Sequence, residues 1–158
     1  MRIFVDCEFN GFGGDLISMA LVPEDESIAP WYEVIQLPEG NRYVFDRWVW
    51  DNVISVVGKR AIPREDFRAE FLRYIQQFDD PIICADWYTD LVHFFSMFAG
   101  EDHSQSVGFA CRTELKLIEE YDSEIPHNAL SDAIAIRKAW LSPTTTYQPK
   151  QKREGSVV

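Results

Sequence analysis

The chain has 158 residues, of which 46% are hydrophobic and 14% aromatic, a length and composition that suit one packed domain and exclude a disordered chain. No apolar run approaches the ~20 residues of a membrane span and the start lacks a secretory signal, so a cytoplasmic protein with no membrane association is expected. A formal net charge of −11 speaks against a protein that grips long nucleic acid by neutralising phosphates, and three cysteines without a Cys-x-x-Cys pair speak against disulfides and structural zinc.

The first ten residues read as a short apolar strand that ends in two carboxylates. Side chains at i and i+2 share a face of a strand, so Asp6 and Glu8 point the same way and Cys7 points to the opposite side, into the core. Two neighbouring acids cost free energy when desolvated unless one takes a proton or a cation neutralises both, and a divalent metal meets that need. Taken alone, Asp-x-Glu is a weak signal that an ordinary solvated strand end also satisfies. Residues 11–15 form a glycine-rich turn and 16–22 a second apolar strand; no Gly-Lys-Ser/Thr follows the glycines, so the turn reading prevails over a phosphate-cradling loop. After a polar break at 23–30, residues 31–36 supply an aromatic and β-branched third strand, and the three together predict an antiparallel meander.

Residues 43–57 have helical spacing, with tryptophans expected in the core. The run 63–78 is the clearest helix: proline and two acids suit its first turn, and Phe67, Phe71, Ile75 and Phe78 mark one apolar face. Asp79 and Asp80 read as a solvated turn. The continuous apolar run 81–85 predicts a strand buried on both faces, followed by Asp86, Asp90 and a helix over 91–98, so aspartates gather where a central strand gives way to a helix. A polar loop is expected over 101–106, a short strand over 107–111, a helix over 113–121 and a last helical block over 127–141. One domain spanning 1–142 followed by a polar, fraying tail over 143–158 is the expected organisation.

Asp-x-Glu on the first strand, an aspartate after a later buried strand and His-x-x-x-x-Asp opening a late helix, in that order, resemble the DEDDh exonucleases. That family has a ribonuclease-H-like fold and includes proofreading subunits of DNA polymerases, oligoribonuclease and RNase T. The likeness covers about residues 1–141, with 23–80 matching in general architecture only, and the segments 5–9 (Val-Asp-Cys-Glu-Phe) and 127–133 (His-Asn-Ala-Leu-Ser-Asp-Ala) look most like the RNase AS branch of 3′-5′ exoribonucleases.

The resemblance implies an α/β fold with a mixed sheet, the three-strand meander plus parallel strands, flanked by helices. It implies Asp6, Glu8, Asp90 and Asp132 as metal ligands and Glu8 and His127 as catalytic residues. Asp90 fits the middle ligand, while Asp86 occupies a position often held by asparagine and stays open as an alternative metal or substrate ligand. Phe9, Asn10 and Trp87 are implied substrate contacts, with Tyr88 a further candidate for stacking on a base; packing beneath the site is the competing role for Phe9 and Trp87. Arg112 reaches either a phosphate or a neighbouring acid, and His93 and His103 read as structural or solvated.

These residue types suit the chemistry. Magnesium and manganese prefer oxygen ligands, so four carboxylates fit a pair of such ions better than zinc or copper. Two ions can bind one phosphate, activate a water and stabilise the leaving 3′-oxygen, and a histidine, changing charge near neutral pH, can take the proton from that water. The expected activity is hydrolysis from the 3′ end of RNA with release of nucleoside 5′-monophosphates, the partners being single-stranded RNA or DNA ends held over a few nucleotides. Family members are often homodimers, and the aromatic content permits that state here. A single-stranded DNA exonuclease, a non-catalytic module that binds nucleic-acid ends or a protein, and a mononucleotide phosphatase are the alternatives.

Overall fold

Two adjacent parallel strands, each apolar on both faces, form the centre of the sheet. The computed structural model describes residues 1–11, 13–37, 45, 47–99 and 105–142. Its strands are β1 (Arg2–Phe9), β2 (Leu16–Pro23), β3 (Trp31–Val34), β4 (Ile82–Ala85) and β5 (Arg112–Leu115), joined in the order β3-β2-β1-β4-β5. The first three pair antiparallel, as the short turns between them require, while β4 runs parallel to β1 and β5 parallel to β4. The helices are α1 (Arg47–Asn52), α2 (Arg64–Ile75), α3 (Tyr88–Ser96) and α4 (Ala129–Leu141), with a 3-10 turn at Ile54–Val56. The protein is therefore α/β, with a mixed five-stranded sheet flanked by helices.

Strand alternation divides the core. Ile3, Val5 and Cys7 face one side, where they join Phe67, Phe71 and Ile75 of α2 and Phe94 of α3. Phe4, Ala20, Val22 and Cys84 face the other, against Ala129, Ala133 and Ile136 of α4. The alanines at i and i+4 present little bulk, which lets α4 lie close to the sheet. On the first side Phe71 is the hub, its ring meeting Trp31, Phe94 and Phe98 edge-on at 5.8, 5.3 and 5.3 Å. Full burial of such a ring contributes about 1.5–3 kcal/mol. This packing fixes α3, and with it the residues at its first turn.

Backbone hydrogen bonds close the β1–β2 turn. Asn10 N–H donates to the Asp15 carbonyl at 2.9 Å, and Gly11 adopts a positive φ of 70°. A Cβ on Gly14 would lie 1.8 Å from the Asn10 oxygen, so only glycine allows the chain to cross there.

Several expectations need correction. The strand expected over 107–111 and the helix over 113–121 are replaced by β5 at Arg112–Leu115, and residues 116–121 are not helical. The open edge of β4 supplies backbone partners for four residues there, which outweighs the helical propensity of a Glu-Leu-Lys-Leu run. The stretch 43–57 yields α1 and the 3-10 turn, with 43, 44 and 46 outside the described residues, and Trp48 and Trp50 are exposed instead of buried; Val49 and Val53 take the inward positions. Pro63 sits just before α2 instead of inside its first turn. His103, most of the loop expected over 101–106, and the tail from 143 onward also lie outside the described residues. Among the described residues no helix is long and apolar enough to cross a membrane.

Candidate metal centre

The C-terminal ends of β1 and β4 lie side by side because the two strands pair parallel, Phe4 opposite Cys84. Asp6 continues one strand and Asp86 the other, each two residues beyond that pair. Asp90 enters from the first turn of α3 and Asp132 from the first turn of α4. Carboxylate oxygens of Asp6, Asp86 and Asp90 lie within 4.8 Å of one another, and a second group, from Glu8, His127 and Asp132, is equally close. Both line one open recess of about 700 Å³.

Asp132 is the residue that joins the loop to the helix. Its Oδ2 accepts the His127 main-chain N–H at 2.9 Å, and His127 has a left-handed φ of 64°, uncommon for a residue with a side chain. Asn128 then caps α4, its side chain accepting the Ser131 N–H at 3.2 Å.

The electrostatics of this recess are those of crowded acids. Burial raises Asp6 well above the usual carboxylate range, and the charges of Asp90, Glu8, Asp132 and Asp86 add to it. Burial and then Asp132 push Glu8 up to about 8. Asp90 is likewise pushed up to about 8, by burial and then Asp86, with the Cys7 and Trp87 backbone N–H groups acting in the opposite sense. Burial takes Asp86 to about 6 and also raises Asp132. Among the described residues, Asp6 Oδ2 and Asp132 Oδ1 are buried with no hydrogen-bond partner. A buried carboxylate oxygen left unpaired is costly, and a proton or a cation relieves that cost. An oxygen-rich set with one imidazole could hold hard divalent cations such as magnesium or manganese and is ill suited to soft metals.

Of the residues expected from the sequence, Asp6, Glu8, Asp86, Asp90, His127 and Asp132 come together in the recess, which Phe9 and Trp87 also line. Asp86 and Asp90 both present an oxygen to the same group, so the site contains both. Asn10 lies in the β1–β2 turn and is not among the described residues lining the recess. Cys7 is among the lining residues, but its sulfur is buried in the core cluster, 3.9 Å from the Asp90 carbonyl oxygen. Tyr88 is exposed beside Trp87, with ring centroids 5.2 Å apart. Arg112 pairs with Asp80 at 3.7 Å, away from the recess. His93 packs on Phe9, with ring centroids 5.2 Å apart, and burial lowers its basicity.

Sequence reasoning missed Tyr121 and Trp48. Tyr121 lines the recess, its phenol held strongly protonated by burial and by the charges of Asp6, Asp132, Asp86 and Glu8. It falls in the stretch read as helix, and no spacing signal marks it. Trp48 meets His127 edge-on and, with Trp87, Phe9, Val49 and Val53, walls an adjoining apolar recess of about 500 Å³ that opens beside Glu8. An exposed tryptophan near no motif carries no such message in the sequence. Among the described residues lining either recess there is no lysine or arginine. No family model matches the chain, and no curated protein matches it.

Proposed function

We propose that this protein is a divalent-metal-dependent 3′-5′ exonuclease of the ribonuclease-H-like DEDDh kind, acting on RNA and releasing nucleoside 5′-monophosphates. The observation that carries the reading is the pair of three-donor groups sharing one recess, with two carboxylate oxygens buried and unpaired. The sheet order, with acids at the ends of the two central parallel strands, supports it.

Asp6, Glu8, Asp90 and Asp132, with Asp86 beside them, would hold magnesium or manganese. When bound, two such ions supply activation of a water and neutralisation of phosphate charge. The chain's own residues do the rest. The His127 ring nitrogen that approaches Glu8 and Asp132 takes a proton from the attacking water, whose oxygen bonds to phosphorus while the bond to the 3′-oxygen breaks and that oxygen takes a proton from solvent. The apolar recess between Trp48 and Trp87 accepts the flat face of the terminal base, an interaction of about 1–3 kcal/mol. With no lysine or arginine among the described residues lining either recess, the grip extends over few nucleotides.

The test is purified protein with manganese on 5′-labelled single-stranded RNA and DNA of matched sequence, each with a free 3′-hydroxyl. The expected outcome is stepwise shortening of RNA with 5′-monophosphate products, abolished by Asp6→Asn; both substrates left intact would overturn the reading. Faster cleavage of DNA would transfer the same mechanism to that substrate. The acid-rich lining also favours a second reading, a phosphatase on mononucleotides, which would announce itself by release of inorganic phosphate.

A further inference from the structure

Trp48 leaves 52% of its surface exposed, so core packing does not account for where it sits. Its indole meets the imidazole of His127 with ring centroids 4.9 Å apart and planes 75° apart. The two residues are 79 positions apart in sequence and the contact is built from two directions. At one end of the short segment, Val49 and Val53 bury against Ile17 of β2 and fix α1 to the sheet. At the other end, Asn128 Nδ2 donates to the Val56 carbonyl at 2.8 Å and the Tyr32 hydroxyl donates to the Val57 carbonyl at 2.7 Å. The same Asn128 side chain caps α4, so one residue next to His127 secures both the helix and the segment that carries Trp48.

His127 is thereby held at its backbone, by the bond to Asp132, and at its ring, by the indole. An imidazole held only through its backbone can sample several rotamers, whereas here a ring nitrogen lies within 4.8 Å of Glu8 and Asp132 oxygens. Proton transfer needs that nitrogen in hydrogen-bond reach at the moment of reaction, and displacement by even one ångström is costly to rate. Edge-to-face packing of two rings favours one mutual orientation.

We propose that Trp48 is a positioning residue, its indole holding the His127 imidazole toward Glu8 and Asp132 so that the proton acceptor is in place before substrate arrives. The proposal rests on the hydrolytic reading of the site, and because Trp48 also walls the apolar recess its two roles must be separated.

A double-mutant cycle on the full chain with manganese and single-stranded RNA, under single-turnover conditions, separates them. Trp48→Ala should lower the maximal rate about tenfold, and Trp48→Phe, which keeps an aromatic edge, should recover it to within about threefold of the unaltered protein. In a His127→Ala background, Trp48→Ala should change the rate by less than about twofold, since the group it positions is gone. An equal loss in both backgrounds overturns the proposal and makes Trp48 a substrate wall only. Proton NMR without substrate gives a readout independent of activity: the His127 ring protons should show nuclear Overhauser contacts to the indole, lost in Trp48→Ala. Their absence in the unaltered protein overturns the proposal whatever the activity. Their presence in a protein that cleaves neither RNA nor DNA upholds the placement of the ring and overturns the hydrolytic reading instead.

Discussion

The Asp132 carboxylate turns one oxygen to the His127 main-chain N–H at 2.9 Å and leaves the other buried with no partner among the described residues. One side chain therefore shapes the loop that bears the imidazole and contributes an unsatisfied acceptor to the recess. Asp6 on β1 carries a second such oxygen in the same recess.

Stability without divalent cations should fall as pH rises from about 4 to about 8. Glu8 moves from 4.5 to about 8, Asp90 from 3.8 to about 8 and Asp86 from 3.8 to about 6, and Asp6 and Asp132 move in the same direction. Within that window the unfolded chain has released protons that the folded protein retains, so raising the pH favours unfolding. Asp25 and Glu114, held below the usual carboxylate range by hydrogen bonds, act in the opposite sense only near the acid end of the window, and His93, its basicity lowered by burial, does so just below 6.5, one group against the five raised acids. Urea midpoints measured across the window in chelator check the slope, and added manganese should flatten it. A midpoint that climbs throughout would contradict the burial of these acids together.

Asp90 and Asp86 should differ in what they contribute to metal binding. Asp90 is 2% exposed and sits in the first turn of α3, where packing of Phe94 holds the helix in place; Asp86 is half-buried in the bend after β4. Asp90→Asn is expected to weaken manganese binding by about 100-fold or more and Asp86→Asn by about tenfold. Calorimetric titration with manganese gives both constants, and the reverse ranking would make Asp86 the principal ligand.

Cys7→Ala should cost stability and spare catalysis. The sulfur is buried among core residues on the face of β1 opposite Asp6 and Glu8, so its loss leaves a small cavity costing about 1 kcal/mol. The hydrolysis rate at saturating metal should stay within about twofold, since no donor to the recess is removed. A large rate loss with unchanged stability would mean that the strand faces the other way.

Asn128→Ala removes the α4 cap together with the Nδ2 donor, which serves the Val56 carbonyl and, at longer range, the Tyr32 hydroxyl and the Val57 carbonyl. Loss of the α4 cap costs about 1 kcal/mol and loss of the donor to the Val56 carbonyl about as much again. Asn128→Ser restores the cap alone and should recover about half of the loss in chemical denaturation. Full recovery by serine would show that the link to the 3-10 turn adds nothing.

Local patterning made the central elements legible. Alternation along 2–9 put Asp6 and Glu8 on one face and Cys7 on the other, because a strand's period of two leaves no other choice. The apolar face of α2 and the continuous apolar run of β4 were equally plain, since each buries its residues in the way its own period dictates. The order of the acids, with His127 five positions before Asp132, was readable as well. What the sequence could not carry was anything set by a distant partner. β5 exists because β4 has an open edge, so a stretch with helical character became a strand. Trp48 and Tyr121 reach the recess because the fold returns their segments to the ends of β1 and β4, a juxtaposition of residues far apart in the chain that no local spacing records. Sequence by itself determined which acids stand at strand ends and helix starts; only tertiary structure decided that Asp86 joins them, that aromatic side chains frame them and that no cationic side chain lines the recess among the described residues, because those depend on which segments the sheet brings side by side.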